Sequence, residues 1–196
     1  IKAIIFDAYG TLFDVNSAAE KCKDKIGDKW ESFAKFWRTT QLEYTWLRSL
    51  MKRHEDFWQV TEDSLDKSMK AFKIDYSMKN ELLNLYKVLS TFKEVPETLK
   101  TLKEKNFKLA ILSNGTPSLL NNLVKSNNLE DLFDDLFSIE EVGIYKPDSK
   151  VYDLPTKKYK IEKKEIVFLS ANTWDVSGGG NYCLLYTSDA ADDVRG

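Results

Sequence analysis

The sequence predicts an α/β fold, a parallel sheet with crossover helices that is interrupted after its first strand by a long helical insertion. Three observations carry that reading. The chain opens with an apolar, β-branched run, KAIIF at residues 2–6, which stops at Asp7. From about residue 15 to residue 90, large apolar side chains recur at spacings of three and four, the period of a helix. Beyond Pro96, short apolar runs alternate with helical patterns, as in a sheet whose strands are joined by helices.

Taken in order, residues 2–6 form a buried strand, and Tyr9-Gly10-Thr11 supplies the turn that follows it. Asp14 and Ser17 can cap a helix beginning near Val15. Between residues 29 and 52, Trp30, Phe33, Phe36, Trp37, Tyr44, Leu47, Leu50 and Met51 give one long helix an aromatic face. Thr61 with Ser64 opens another that runs to about Phe72. Ser77 with Glu81 opens a third, carrying Leu82, Leu83, Leu85, Tyr86 and Leu89. Helices over 96–105, 117–126 and 148–159 then alternate with strands over 108–112, 136–139 and 166–169. The strand at 2–6 belongs to the same sheet, which makes the helices between an insertion. Ligands of such sheets bind beyond the carboxyl ends of the strands, at a switch in strand order. The residues at those ends are Asp7, Ser113 with Asn114, and the stretch from Ser170 to Asp175.

With 196 residues, 42% hydrophobic and 31% charged, the chain can fill one core and a modest insertion, which excludes disordered and fibrous classes. Lys and Arg number 29 against 31 for Asp and Glu, a net charge of -2. That supplies no basic footprint for nucleic acid or an anionic membrane, so the expected partner is a small molecule. No apolar run approaches the roughly 20 residues of a membrane helix. Cys22 and Cys183 lie far apart and read as free thiols of a reducing compartment, so a cytoplasmic location is expected. The lone histidine, His54, argues against a histidine-built metal cage or triad. Because Ile1 stands directly inside a strand, further residues are expected to precede it.

A carboxylate at a strand tip is partly desolvated, and Asp7 needs a cation or several donors to stay ionised. Lys146, in the Tyr145-Lys146-Pro147-Asp148 turn, is a candidate for that cation. Ionised and fixed, an aspartate can attack as a nucleophile and form an ester. Taken singly, Asp7 and Asp175 could be helix caps, Ser113-Asn114-Gly115 a turn, and Lys-Pro surface punctuation. Their occurrence in order, each at a strand tip or helix start, sets those plain readings aside.

The segments that carry these residues resemble the four motifs of the haloacid dehalogenase superfamily: FDAYGTLFD at 6–14, LSNG at 112–115, YKPD at 145–148 and LSANTWD at 169–175. Within it the chain is similar to the (S)-2-haloacid dehalogenases, through WRTTQLEYTWLRSLM at 37–51, Phe57 at the family spacing, and the segment from Asn172 to Asp175. The resemblance implies a Rossmann-like parallel core at 1–14 and 91–181 with a helical cap at 15–90. Phosphatases of the superfamily place a second carboxylate two residues after the nucleophile and hold Mg²⁺. Here that position is Tyr9, which supplies neither a proton-shuttling carboxylate nor a hard-cation charge. The resemblance therefore implies a metal-free, cofactor-free displacement at carbon, with a Mg²⁺-dependent phosphatase as the alternative enzyme.

On that resemblance Asp7 attacks C2 of a 2-haloalkanoate, and water then hydrolyses the aspartyl ester. Arg38 and Asn114, with the edge of Phe57, match the halide cradle. Ser113 and nearby backbone N–H groups receive the substrate carboxylate, with charge from Lys146. Asp175 activates the water, oriented with Ser170, Asn172, Thr11, Lys146 and Tyr152. Tyr9, Leu42, Phe57 and Trp174 line the alkyl chain, and Thr39 stands where close relatives often carry a longer amide. Homodimerisation through the aromatic cap face is common among relatives; the sequence leaves two readings for those aromatics here, an interface between copies or the cap's own core.

The resemblance ends near Asn181. Residues 182–196 depart from the family's pattern, show no periodicity, and look like translated adapter sequence, a foreign and disordered tail. The expectation is that the last core strand is missing, the edge at 166–169 is exposed, and the fold is marginal. An inactive fragment is the third reading, although Tyr182 to Tyr186 could pair at that edge by accident.

Overall fold

The computed structural model describes residues 1–187, so most of the acidic tail expected to be disordered, 188–196, lies outside the described residues. Five strands, β1 (Ala3–Phe6), β2 (Lys108–Ser113), β3 (Asp135–Ser138), β4 (Ile166–Leu169) and β5 (Leu185–Thr187), form one sheet. All pairings are parallel, in the order β3-β2-β1-β4-β5. Strand β1 is buried along its whole length, as expected of a central parallel strand covered on both faces. The chain proceeds from β1 to one side through β2 and β3, then returns to the other side with β4. The switch in strand order thus falls at β1, and Asp7 stands at its tip, its N–H donating to Leu169 O at 2.9 Å.

Of the six α-helices between β1 and β2 among the described residues, the first five make up the insertion: α1 (Ser17–Glu20), α2 (Lys23–Ile26), α3 (Trp30–Met51), α4 (Phe57–Phe72) and α5 (Lys79–Tyr86). The first two are single turns, the earlier starting at Ser17 where the sequence suggested a start near Val15; Asp14 accepts from Asn16 N at 2.9 Å in the turn before it and does not cap the helix. Helix α3 buries Phe33, Ala34, Trp37, Gln41 and Thr45, and α4 buries Phe57, Val60, Thr61, Ser64, Leu65, Ser68 and Met69, so the two pack along matching stripes. Helix α4 starts at Phe57, one turn before the Thr61 expected, because the Asp56 carboxylate accepts from Gln59 N at 2.8 Å and caps it there. Thr61 and Ser64 instead spend their hydroxyls on carbonyls inside the helix.

Helices α6 (Val95–Glu104), α7 (Pro117–Ser126), α8 (Ser149–Tyr159) and α9 (Thr173–Asn181) link or follow the later strands. The first three match the sequence to within a residue or so. Helix α9 runs through Gly178-Gly179-Gly180, a composition that by itself argues against a helix. A Cβ on Gly178 would lie 2.7 Å from Pro147 Cβ and closer still to Tyr152 Oη, and one on Gly179 would lie 2.8 Å from Phe168 Cδ1. Close approach to β4 and α8 demands glycine there, and this offsets its poor helix propensity.

The edge at 166–169, expected to be exposed, is instead covered, through the pairing the sequence allowed for Tyr182 to Tyr186. Residues 185–187 pair with 167–169 as β5, so β4 has neighbours on both sides. The start of the tail packs on the fold. Leu184 is buried in the core, and Tyr182, also buried, reaches Asp153 and Thr156 with its hydroxyl. Apolar side chains at 182 and 184 bury themselves against α8 and β4 whatever the periodicity around them.

Candidate active site

Strand tips, one turn and one helix start bring seven of the expected residues into a single network. Lys146 Nζ donates to Asp7 Oδ1 at 3.0 Å and to Asp175 Oδ2 at 2.8 Å. All three are shut from solvent, with relative exposures of 1%, 5% and 0%. An ammonium buried between two carboxylates leaves a net negative charge, which further donors must balance. Thr11 Oγ1 at 3.1 Å, Asn172 Nδ2 at 2.8 Å and Ser170 Oγ at 3.5 Å all donate to Asp7 Oδ2. Tyr152 Oη donates to Asp175 Oδ1 at 2.6 Å. The donors are themselves fixed: Thr11 Oγ1 accepts from Ala171 N at 3.0 Å, and Ser170 Oγ accepts from Asn172 N at 3.1 Å.

Electrostatics bear on Asp175, on Lys146 and on Tyr152. Burial pushes the Asp175 carboxyl up to about 6, with the charge of Asp7 adding to the rise and Lys146 and Tyr152 opposing it. Lys146 is held above the ordinary lysine range; burial works against its charge, and the two carboxylates more than restore it. Burial and Asp175 together keep the Tyr152 hydroxyl protonated, as a donor requires. Asp7 thus presents a carboxylate with donors on both oxygens, the form suited to nucleophilic attack.

The helical block supplies the other wall. Arg38 reaches down from α3 to donate through Nη2 to Tyr9 O at 3.1 Å, where Asn172 Nδ2 also donates at 3.2 Å. The Tyr9 ring packs against Phe57 at 5.0 Å and lies parallel to Tyr86 at 5.7 Å. Burial holds its hydroxyl well above the usual tyrosine range, so Tyr9 is neutral and acts as an apolar neighbour of Asp7. Asn114 Oδ1 accepts from Lys146 N at 3.1 Å, which ties the tip of β2 to the lysine turn. Beside Arg38 a cleft of about 470 Å³ opens, lined by Val15, Asn16, Trp30, Glu31, Lys35 and Thr39.

Three expected residues stand apart from this network. Ser113 is buried, with its hydroxyl accepting from Gly115 N at 3.0 Å. Leu42 is half-buried on α3, and Trp174 sets its ring edge-on to Trp46 at 5.5 Å. Sequence reasoning passed over Gln41, Thr61 and Tyr86, which form a buried polar cluster behind Arg38. Their signal was faint: Gln41 and Thr61 are polar residues on buried stripes that carry other polar residues as well, Thr45 on α3 and Ser64 and Ser68 on α4.

Comparison with known proteins agrees with this geometry. A family model described as haloacid dehalogenase-like hydrolase matches residues 1–181. The chain is 41% identical over 184 residues to (S)-2-haloacid dehalogenase 1 of Pseudomonas sp. (strain CBS-3), covering 93% of this chain and 81% of that protein. It is 42% identical over 180 residues to the (S)-2-haloacid dehalogenase of Pseudomonas sp. (strain YL), covering 91% and 78%. Among solved structures it resembles the L-2-haloacid dehalogenase of Xanthobacter autotrophicus with chloropropionic acid covalently bound, with a TM-score of 0.88 at 36% identity, covering 95% of this chain and 76% of that one.

Proposed function

The chain belongs to the haloacid dehalogenase-like hydrolases, and on that premise we propose that it hydrolyses (S)-2-haloalkanoic acids to (R)-2-hydroxyalkanoic acids through an ester on Asp7. The observation that carries this reading is the setting of Asp7: its Oδ1 accepts from the buried Lys146 Nζ at 3.0 Å, and neutral Tyr9 follows two residues later. A carboxylate oxygen of Asp7 attacks C2, the carbon–halogen bond breaks, and halide leaves with the bonding pair from the opposite face, inverting the centre. Water then adds to the ester carbonyl of Asp7 while Asp175 takes its proton. Collapse of that adduct restores the Asp7 carboxylate and frees the hydroxy acid.

Negative charge develops on the departing halide, and a donor already aimed at it lowers that barrier. Arg38 and Asn114 are the candidates, with Phe57 closing the pocket; Ser113 and Lys146 serve the substrate carboxylate, and Leu42 and Trp174 the alkyl chain. Helices α1 to α5 act as the cap over the core. Exposed Leu47, Leu50 and Met51 at the end of α3 support pairing of two copies through this face, and the free Cys22 and Cys183 support work in the cytoplasm.

The test is halide release from the two enantiomers of 2-chloropropionate with EDTA present. We expect chloride from the (S) form only, (R)-lactate as product, and at least a 10³-fold loss in Asp7→Asn, on the order of removing a nucleophile. Release from neither enantiomer by folded protein, or release that requires Mg²⁺, would overturn the reading.

A further inference from the structure

Behind Arg38 lies a buried amide whose orientation is fully determined. Gln41 sits one turn along α3, 1% exposed, and its Oε1 accepts from Arg38 Nη1 at 2.9 Å. A guanidinium can only donate, so the oxygen must face Arg38 and Nε2 must face the other way. There Nε2 donates to Thr61 Oγ1 at 2.8 Å, with Tyr86 Oη at 3.0 Å. Thr61 has a lone pair to offer because its own hydrogen is committed to Phe57 O at 2.6 Å. Trp37 walls the cluster, its Nε1 donating to Thr61 O at 3.2 Å.

A buried amide left unpaired costs free energy, whereas one with its donors and acceptor paired rigidifies its surroundings. Arginine, for its part, is long and loses rotamer entropy when it is ordered. The second anchor of Arg38 is a backbone carbonyl, Tyr9 O, so the guanidinium is held at two points on opposite sides. Through Thr61 the same cluster is tied to Phe57, the other cap residue beside Tyr9.

We infer that Gln41, clamped by Thr61 and Tyr86, is a positioning residue that fixes the Arg38 guanidinium where charge gathers on the departing halide. This rests on the function proposed above. Gln41 touches no reacting atom. Its effect belongs to the step in which carbon–halogen cleavage needs charge stabilisation, and that need is greatest for chloride and least for iodide.

The experiment compares wild type with Gln41→Leu and Tyr86→Phe on (S)-2-chloro- and (S)-2-iodopropionate. It reads kcat/KM, which covers steps through halide release, and the decay of the alkylated enzyme in single turnover. For Gln41→Leu we expect kcat/KM on the chloro substrate to fall about 10²-fold, the scale of a misplaced catalytic group, and clearly less on the iodo substrate. Ester decay should be unchanged. Tyr86→Phe, which removes one oxygen, should shift the chloro-to-iodo ratio in the same sense by a smaller factor. An equal loss on both halides, slowed ester decay, or no loss overturns the inference while wild-type turnover leaves the function standing. If Gln41→Leu does not fold, the ratio in Tyr86→Phe decides. A silent wild type would overturn the function itself.

Discussion

Lys146 exposes none of its side chain, and two carboxylates share its single charge. Which carboxylate draws on that charge more strongly changes during turnover. In the resting protein the Asp7 charge helps to push the Asp175 carboxyl up to about 6. Once Asp7 is an ester that charge is gone, and Lys146 faces Asp175 undivided, so both changes lower the Asp175 value. On the proposed mechanism Asp175 is therefore ionised when water must be activated. The expected outcome is that ester decay, followed in single turnover, loses rate as pH falls, with its half-point below pH 6 rather than at it. A half-point above 6 would mean that another group titrates. Thr11 and Asn172 were legible as site residues through the motifs that carry them, but their hydrogen bonds go to Asp7 and not to Asp175, the partner the resemblance implied. The cluster of Gln41, Thr61 and Tyr86 was not legible, because a polar residue on a helix gives no sign in sequence of which partner will bury it.

Among the secondary elements, α9 shows most plainly why local propensity misleads. Three glycines in succession argue for a turn, yet the helix packs so tightly on Tyr152 and Phe168 that no side chain fits at two of those positions. Ordinarily Gly→Ala in a helix stabilises by about 1 kcal/mol. At Gly178 the added methyl meets Pro147 Cβ at 2.7 Å and crowds the Tyr152 hydroxyl that holds Asp175. Overpacking of this kind costs about 1–3 kcal/mol and outweighs the propensity gain. Gly178→Ala should lower the melting temperature and slow ester decay through displaced Tyr152; unaltered decay would show that Tyr152 does not orient the base. The long α3 and α4, by contrast, could be read from periodicity alone, and only the start of α4 was misplaced, because Asp56 competes successfully for the cap.

Across the whole molecule, the C-terminal segment counts for more than its sequence suggests. Leu184 is 4% exposed, and residues 185–187 close the edge of β4. Leu184→Ala should therefore cost about 2–5 kcal/mol, as truncations in a packed core do, and thermal melting will read it. A change under about 0.5 kcal/mol would restore the picture of a dispensable tail. Strand β1 is the centre of the sheet and is synthesised first, but its partners β2 and β4 begin at residues 108 and 166. Pairing over such separations is slow, and an apolar strand waits unpaired meanwhile. The same order governs the chemistry: Asp7 leaves the ribosome long before Lys146, Asn172 and Asp175 exist. On the proposed mechanism the nucleophile is the first part of the site to be made and the last to gain its partners.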